Sequence, residues 1–129
     1  MSNNKLSLEE LDLAYVWHPF TQFSEWSQSP LLVIDKAEGC ELYDTDGRAY
    51  LDAVGSLWVG VHGHRHPAVD AAVKNQLSKV AHSTFLGLSH APGIELARRL
   101  VELSPSGLNR VFYSDSGSTA VEVALKMAF

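Results

Sequence analysis

The chain has 129 residues, 46% hydrophobic and 19% charged, which is the composition of a globular protein with at most one domain and a modest core, and not of a disordered chain. A formal net charge of -5, with no run of Lys and Arg, leaves no electrostatic footprint for nucleic acid. No apolar segment reaches the length of a membrane span and no leader follows Met1-Ser2-Asn3-Asn4-Lys5, so a cytoplasmic protein is expected; the lone Cys40 excludes an intrachain disulfide and a Cys-based zinc motif, and is expected as a small core residue.

From about Leu6 to Tyr15 the apolar residues Leu8, Leu11 and Tyr15 recur at near-helical spacing, with Ser7 placed to cap and Glu10 to reciprocate. Pro19 within Trp17-His18-Pro19-Phe20 ends that helix, and irregular chain is expected through Ser29-Pro30. Short extended runs follow at Leu31–Ile34, Cys40–Tyr43 and Ala49–Leu51, separated by Glu38-Gly39 and by Asp44-Thr45-Asp46-Gly47. They predict a small antiparallel meander in which Asp46-Gly47 supplies the positive φ of a tight hairpin, and Leu42, Tyr50 and Leu51 supply cross-strand surface.

Gly55 and Gly60 bracket Ser56-Leu57-Trp58-Val59, where local rules predict neither strand nor helix, and Val61–His66 continues as loop. Pro67 starts a helix carrying Val69, Val73, Leu77 and Val80 on one face. A second helix opens near Pro92 and stops at Ser104-Pro105. Arg110–Ser114 reads as a buried strand entering Asp115-Ser116-Gly117-Ser118 and a final helix. That helix is apolar on nearly every side apart from the pair Glu122 and Lys126, and it reaches Phe129 without a cap, so the chain is expected to continue beyond Phe129. Helix, meander, two helices and strand-turn-helix make the order of an α/β chain that is just entering its main sheet.

Chemistry is most legible at Ser116-Gly117-Ser118. A helix start leaves backbone N–H groups unpaired and carries partial positive charge, so it favours an anion such as phosphate. Gly117 lets a ligand approach the backbone, and Ser116 and Ser118 offer hydroxyl donors; the same residues also serve simply as cap and turn. His62, His64 and His66 alternate, with His82 and His90 further on, but Gly63 and Pro67 deny them a common strand face, and they read as loop and capping residues with no metal site. Trp17, Phe20, Leu57 and Trp58 read as plugs beneath long loops or, alternatively, as the wall of a pocket for an apolar or cationic substrate.

Trp17-His18-Pro19-Phe20-Thr21-Gln22, Ala37-Glu38-Gly39-Cys40-Glu41-Leu42, Asp46-Gly47-Arg48, Val61-His62-Gly63-His64 and Ser114–Glu122, in this order, resemble the opening third of a class III pyridoxal-phosphate aminotransferase. The resemblance implies fold type I, with residues 1–54 as an amino-terminal segment bearing the meander and 55–129 as the start of the cofactor-binding large domain. It implies a homodimer, pyridoxal 5'-phosphate as cofactor, and small-molecule partners: a keto acceptor and an amino donor. It assigns the cofactor phosphate to Gly117 and Ser118, and a substrate wall to Phe20, Leu57 and Trp58. The lysine that forms the Schiff base and the Asp that meets the pyridine nitrogen fall beyond Phe129, so this chain alone is expected to be inactive. Within the family the motifs are nearest to the branch that aminates 8-amino-7-oxononanoate to 7,8-diaminononanoate in biotin synthesis. Members of that branch that use S-adenosylmethionine as donor resemble one another in a Tyr where Phe20 stands and a Trp pair where Leu57-Trp58 stands, whereas a branch resembling this chain uses lysine, so the expected donor is S-adenosylmethionine or lysine. An ω-amino acid or diamine transaminase and a non-catalytic anion-binding module are the alternatives.

Overall fold

The structure, a computed structural model, describes residues 6–129. The start assigned to Met1–Lys5 lies outside the described residues. The chain divides into two units, 1–77 and 78–129.

In the first unit, α1 (Leu8–Tyr15) begins on the expected capping box: Glu10 N–H donates to Ser7 Oγ at 3.2 Å and Ser7 N–H to Glu10 Oε2 at 2.7 Å. It ends before Pro19, and a short helical turn not expected from the sequence, α2 (Phe23–Trp26), follows. His18 lies over Trp26 with ring centroids 4.4 Å apart, and its Nε2 is 3.1 Å from both carboxylate oxygens of Asp12.

The meander is present as a sheet in the order β1 (Ile34–Glu38), β2 (Glu41–Asp44), β3 (Ala49–Leu51), antiparallel throughout. The first strand lies downstream of the expected Leu31–Ile34, because pairing with β2 selects Ala37 opposite Leu42 and Glu38 opposite Glu41 across the Gly39-Cys40 turn. Leu42 pairs with Tyr50, as the cross-strand pattern predicted. Gly47 takes the positive φ of the hairpin at +82°. The carboxylate of Asp44, 6% exposed, organises that turn by accepting from Asp46 N–H, Arg48 N–H and Tyr50 OH at 2.8 to 3.0 Å. Burial pushes its pKa up, but the Arg48 N–H and the Tyr50 hydroxyl outweigh this and hold it below 3.8. Cys40 is exposed rather than buried, since it sits at the tip of the β1–β2 turn. The four-residue turn α3 (Gly55–Trp58) and α4 (Pro67–Leu77), started by Pro67, complete the unit.

In the second unit, α5 (Ala91–Leu103) is capped by His90, whose Nδ1 accepts from Gly93 N–H at 3.2 Å. The capping role read for the loop histidines holds at this position. Gly93 is buried, and a Cβ there would run into the Phe85 ring. Tyr113 stacks 5.6 Å from Phe85 and donates its hydroxyl to Gly93 O at 2.7 Å, anchoring the segment that leads to α6 (Gly117–Ala128). Arg110–Ser114 is not a strand, and Phe112 is exposed: a ladder needs a neighbouring strand, and none among the described residues pairs with it. No apolar side chain is fully buried among the described residues, and Val121, Leu125 and Met127 of α6 stand open. No helix among the described residues is long and apolar enough to cross a membrane.

Candidate functional site

Phe20, Leu57 and Trp58 share a backbone property that the sequence did not announce. Positive φ occurs at Phe20 (+53°) and at every position of α3: Gly55 (+57°), Ser56 (+47°), Leu57 (+63°) and Trp58 (+71°). The α3 segment is therefore a left-handed turn, closed by Trp58 N–H to Val54 O at 2.8 Å and Gly60 N–H to Gly55 O at 2.7 Å. The left-handed region costs a non-glycine residue roughly 1–2 kcal/mol, so Ser56, Leu57 and Trp58 together store roughly 3–6 kcal/mol. The flanking glycines suit this closure: Gly55 has φ +57°, and a Cβ on Gly60 would crowd Gly55 O at 3.2 Å.

This conformation does not tuck the side chains away. Leu57 is 68% exposed, Trp58 81% and Phe20 108%. These residues and Trp17 plug no core among the described residues: Leu57 and Trp58 face outward, and nothing among the described residues covers them. Phe20 is too exposed to touch either one, so the chain does not by itself bring the three together.

What holds the turn is Asp52, a residue not expected from the sequence. Its Oδ1 accepts from Ser56 N–H at 2.8 Å, and its Oδ2 accepts from Ser56 Oγ at 2.7 Å and meets His64 Nε2 at 2.8 Å. The Ser56 amide and hydroxyl, followed by His64, hold the Asp52 carboxyl below its ordinary 3.8. The available signal was an Asp four residues before a serine in a Gly-flanked segment, a spacing at which short polar side chains compete for backbone donors. His64, read as a loop residue, reaches back across the loop to this carboxylate. His62 and His66 stand with ring centroids 5.9 Å apart.

The second locus, in the other unit, is the start of α6. Ser116 is the N-cap, accepting from Thr119 N–H at 3.3 Å, while Thr119 Oγ1 accepts from Ser116 N–H at 3.1 Å. Both hydroxyls are thus engaged in the cap. Among the described residues, the N–H groups of Gly117 and Ser118 and the Ser118 hydroxyl meet no acceptor or donor, and the space over Gly117 is open. Two backbone donors and one hydroxyl at the positive end of a 12-residue helix suit a phosphate dianion. Of the lysines, Lys126 is engaged with Glu122 at 2.7 Å on the same helix, and Lys36 lies over the Tyr43 ring.

Residues 22–129, which carry the left-handed turn and the open start of α6, match aminotransferase class III, and the chain belongs to that family. Phe20 falls just before the matched region, whereas Leu57, Trp58, Gly117 and Ser118 fall within it.

Among curated proteins, the chain is 62% identical over 122 residues to an adenosylmethionine-8-amino-7-oxononanoate aminotransferase of Nitratidesulfovibrio vulgaris, covering 95% of this chain and 22% of the relative. It is 51% identical to the protein of that name from Staphylococcus aureus, covering 98% of this chain and 28% of the relative. Among solved structures, the enzyme of that name from Methanocaldococcus jannaschii superposes with a TM-score of 0.89 at 47% identity, over 94% of this chain and 28% of the other. An ω-transaminase of Pseudomonas jessenii in complex with PMP superposes with a TM-score of 0.85 at 33% identity, over 95% and 27%. The chain therefore spans between about a fifth and three tenths of the length of these relatives and has the fold of the amino-terminal part of fold type I aminotransferases.

Proposed function

We propose that this chain forms the phosphate cradle and one wall of the substrate pocket of a pyridoxal-phosphate-dependent aminotransferase, which moves an amino group onto 8-amino-7-oxononanoate to give 7,8-diaminononanoate. The observation that carries the reading is the open, capped start of α6, within a chain 62% identical to an enzyme named for that acceptor. Gly117 and Ser118 hold the cofactor phosphate through their N–H groups and the Ser118 hydroxyl. Ser116 and Thr119 keep the helix end in shape by capping it. Pyridoxal 5'-phosphate supplies the electrophilic carbon and the electron sink that amino transfer requires. Residues 55–129 begin the large domain that binds it, in a homodimer working in the cytoplasm.

Leu57 and Trp58, with Phe20, form an apolar wall against the long methylene chain of the acceptor. The indole face of Trp58 also suits a cation, which both candidate donors carry: S-adenosylmethionine as a sulfonium and lysine as an ammonium. A phenyl ring at position 20 and a leucine at 57 offer no hydroxyl and only one indole for a sulfonium.

The test is amino transfer by the full-length enzyme, with 8-amino-7-oxononanoate as acceptor and each donor in turn. Formation of diaminononanoate from either donor supports the reading. Turnover of simple ω-amino acids or diamines in its place favours the ω-transaminase alternative, which the superposition on the Pseudomonas jessenii enzyme motivates. Cofactor binding with no amino transfer to any acceptor contradicts both.

A further inference from the structure

We propose that Asp52 is a positioning residue for substrate selection: by holding Gly55–Trp58 left-handed, it sets where Leu57 and Trp58 stand against the substrate, without touching substrate or cofactor itself. The inference rests on the reading of Leu57 and Trp58 as pocket wall.

The geometry differs from that of an ordinary cap. Three consecutive non-glycine residues occupy a region that single residues rarely visit, and their side chains face outward rather than into a core that would repay the strain. Strain of this kind persists only where the surroundings over-determine it. Here both ends of the turn are tied to one place, the Gly39-Cys40 tip of the meander. Upstream, Asp52 N–H donates to Cys40 O at 2.8 Å. Downstream, His64 N–H donates to Gly39 O at 2.7 Å and Gly39 N–H to His64 O at 3.1 Å. The carboxylate closes the circuit by accepting from both Ser56 donors and from His64 Nε2.

The Asp52 side chain is 5% exposed and that of His64 22%, so their contact is largely shielded, while the Ser56 side of the carboxylate is open. A carboxylate can accept at both oxygens from all three donors, whereas an amide must turn one donor face toward His64 and Ser56. The meander thereby acts as a bracket for the turn. Leu57 and Trp58 lie past the bracketed Ser56, where a change of backbone hand would swing both side chains to a different direction.

The test uses the full-length enzyme with Asp52→Asn, Asp52→Ala and His64→Ala, and with Asp44→Asn as a control. Asp44 organises the neighbouring hairpin with a similar set of bonds but has no link to the turn. For each variant, KM and kcat are measured for the acceptor and for two donors of different bulk, together with cofactor affinity.

Asp52→Ala is expected to raise acceptor KM about tenfold and to change the ratio of kcat/KM between the donors, with cofactor affinity unchanged within about twofold. Asp52→Asn, which keeps the Ser56 N–H bond, should move in the same direction by less. It remains the deciding variant if Asp52→Ala does not accumulate. The effects of Asp52→Asn and His64→Ala should be less than additive, because they break one contact. Asp44→Asn should lower the melting temperature while leaving donor discrimination alone.

Equal discrimination in wild type and Asp52→Asn, or parallel losses of cofactor affinity and kcat like those of a generally destabilised protein, would overturn the proposal. A wild-type enzyme that transaminates some other substrate pair fails the acceptor assignment, yet still tests Asp52 on that pair. A wild type with no amino transfer at all overturns the positioning claim together with the function on which it rests.

Discussion

The turn at Gly55–Trp58 and the start of α6 both leave groups uncovered, and they are held open by opposite means. The α6 start is relaxed: an ordinary N-cap, a reciprocal threonine and N–H groups that any helix leaves unpaired. The 55–58 turn is strained, and it depends on a nearly buried carboxylate, a histidine 12 residues away and a backbone bridge to the meander. A binding site built from backbone donors needs only a well-formed helix end. A wall of exposed apolar side chains needs its direction imposed from outside the segment that carries it.

The contrast breaks most visibly at the bracket. Gly63 has φ +75°, and a Cβ there would lie 2.8 Å from Gly39 O. Gly63→Val should therefore cost the full-length protein about 3 kcal/mol in denaturant unfolding. A cost under about 0.5 kcal/mol would mean that the bridge from Gly39 to His64 does not constrain the turn.

A pair of glycine substitutions sharpens the comparison, because they should carry opposite signs. Leu57→Gly relieves a left-handed residue and is expected to stabilise by up to about 1 kcal/mol, net of the extra chain entropy of glycine. Ala120→Gly in the first turn of α6 is expected to destabilise by about 1 kcal/mol. Thermal melts of the two variants check this, and destabilisation of equal size by both would remove the distinction between strained and relaxed loci.

A smaller effect appears with pH. The Asp52 carboxyl is held below 3.8 by Ser56 and then His64, so its contribution to stability is complete above 3.8 and is lost as pH falls through the depressed value. Glu95 is held down to about 2 by Arg98 and then Arg99, on the surface of α5, where solvent screening leaves it little weight. Acid melts of wild type against Asp52→Asn should therefore differ above 3.8 and converge as the pH falls through the depressed Asp52 value. Curves that stay parallel across that range would show that the carboxylate does not hold the turn.

The two loci were also unequally legible from sequence. The capping box at Ser7 and Glu10, the proline start at Pro67, the Asp46-Gly47 hairpin and the Ser-Gly-Ser helix start all follow rules that act within four residues, and each is present in the structure. The left-handed turn obeys no such rule: its flanking glycines marked it as irregular, but its hand comes from Asp52 and from His64, which is brought near only by the meander. Non-locality likewise defeats the strand read at Arg110–Ser114, which has no ladder partner among the described residues. Cys40 was misread because its apolar character said nothing of its place at the tip of a hairpin.

The central claim, that the open start of α6 holds a cofactor phosphate, is tested most directly by titrating full-length apoenzyme with pyridoxal 5'-phosphate and with pyridoxal, in wild type and Ser118→Ala. Loss of the Ser118 hydroxyl removes one charge-assisted hydrogen bond, so affinity for the phosphorylated form should fall by about tenfold or more while affinity for pyridoxal stays the same. An equal fall for both ligands, or no fall for either, would contradict the assignment of Gly117 and Ser118 to the phosphate.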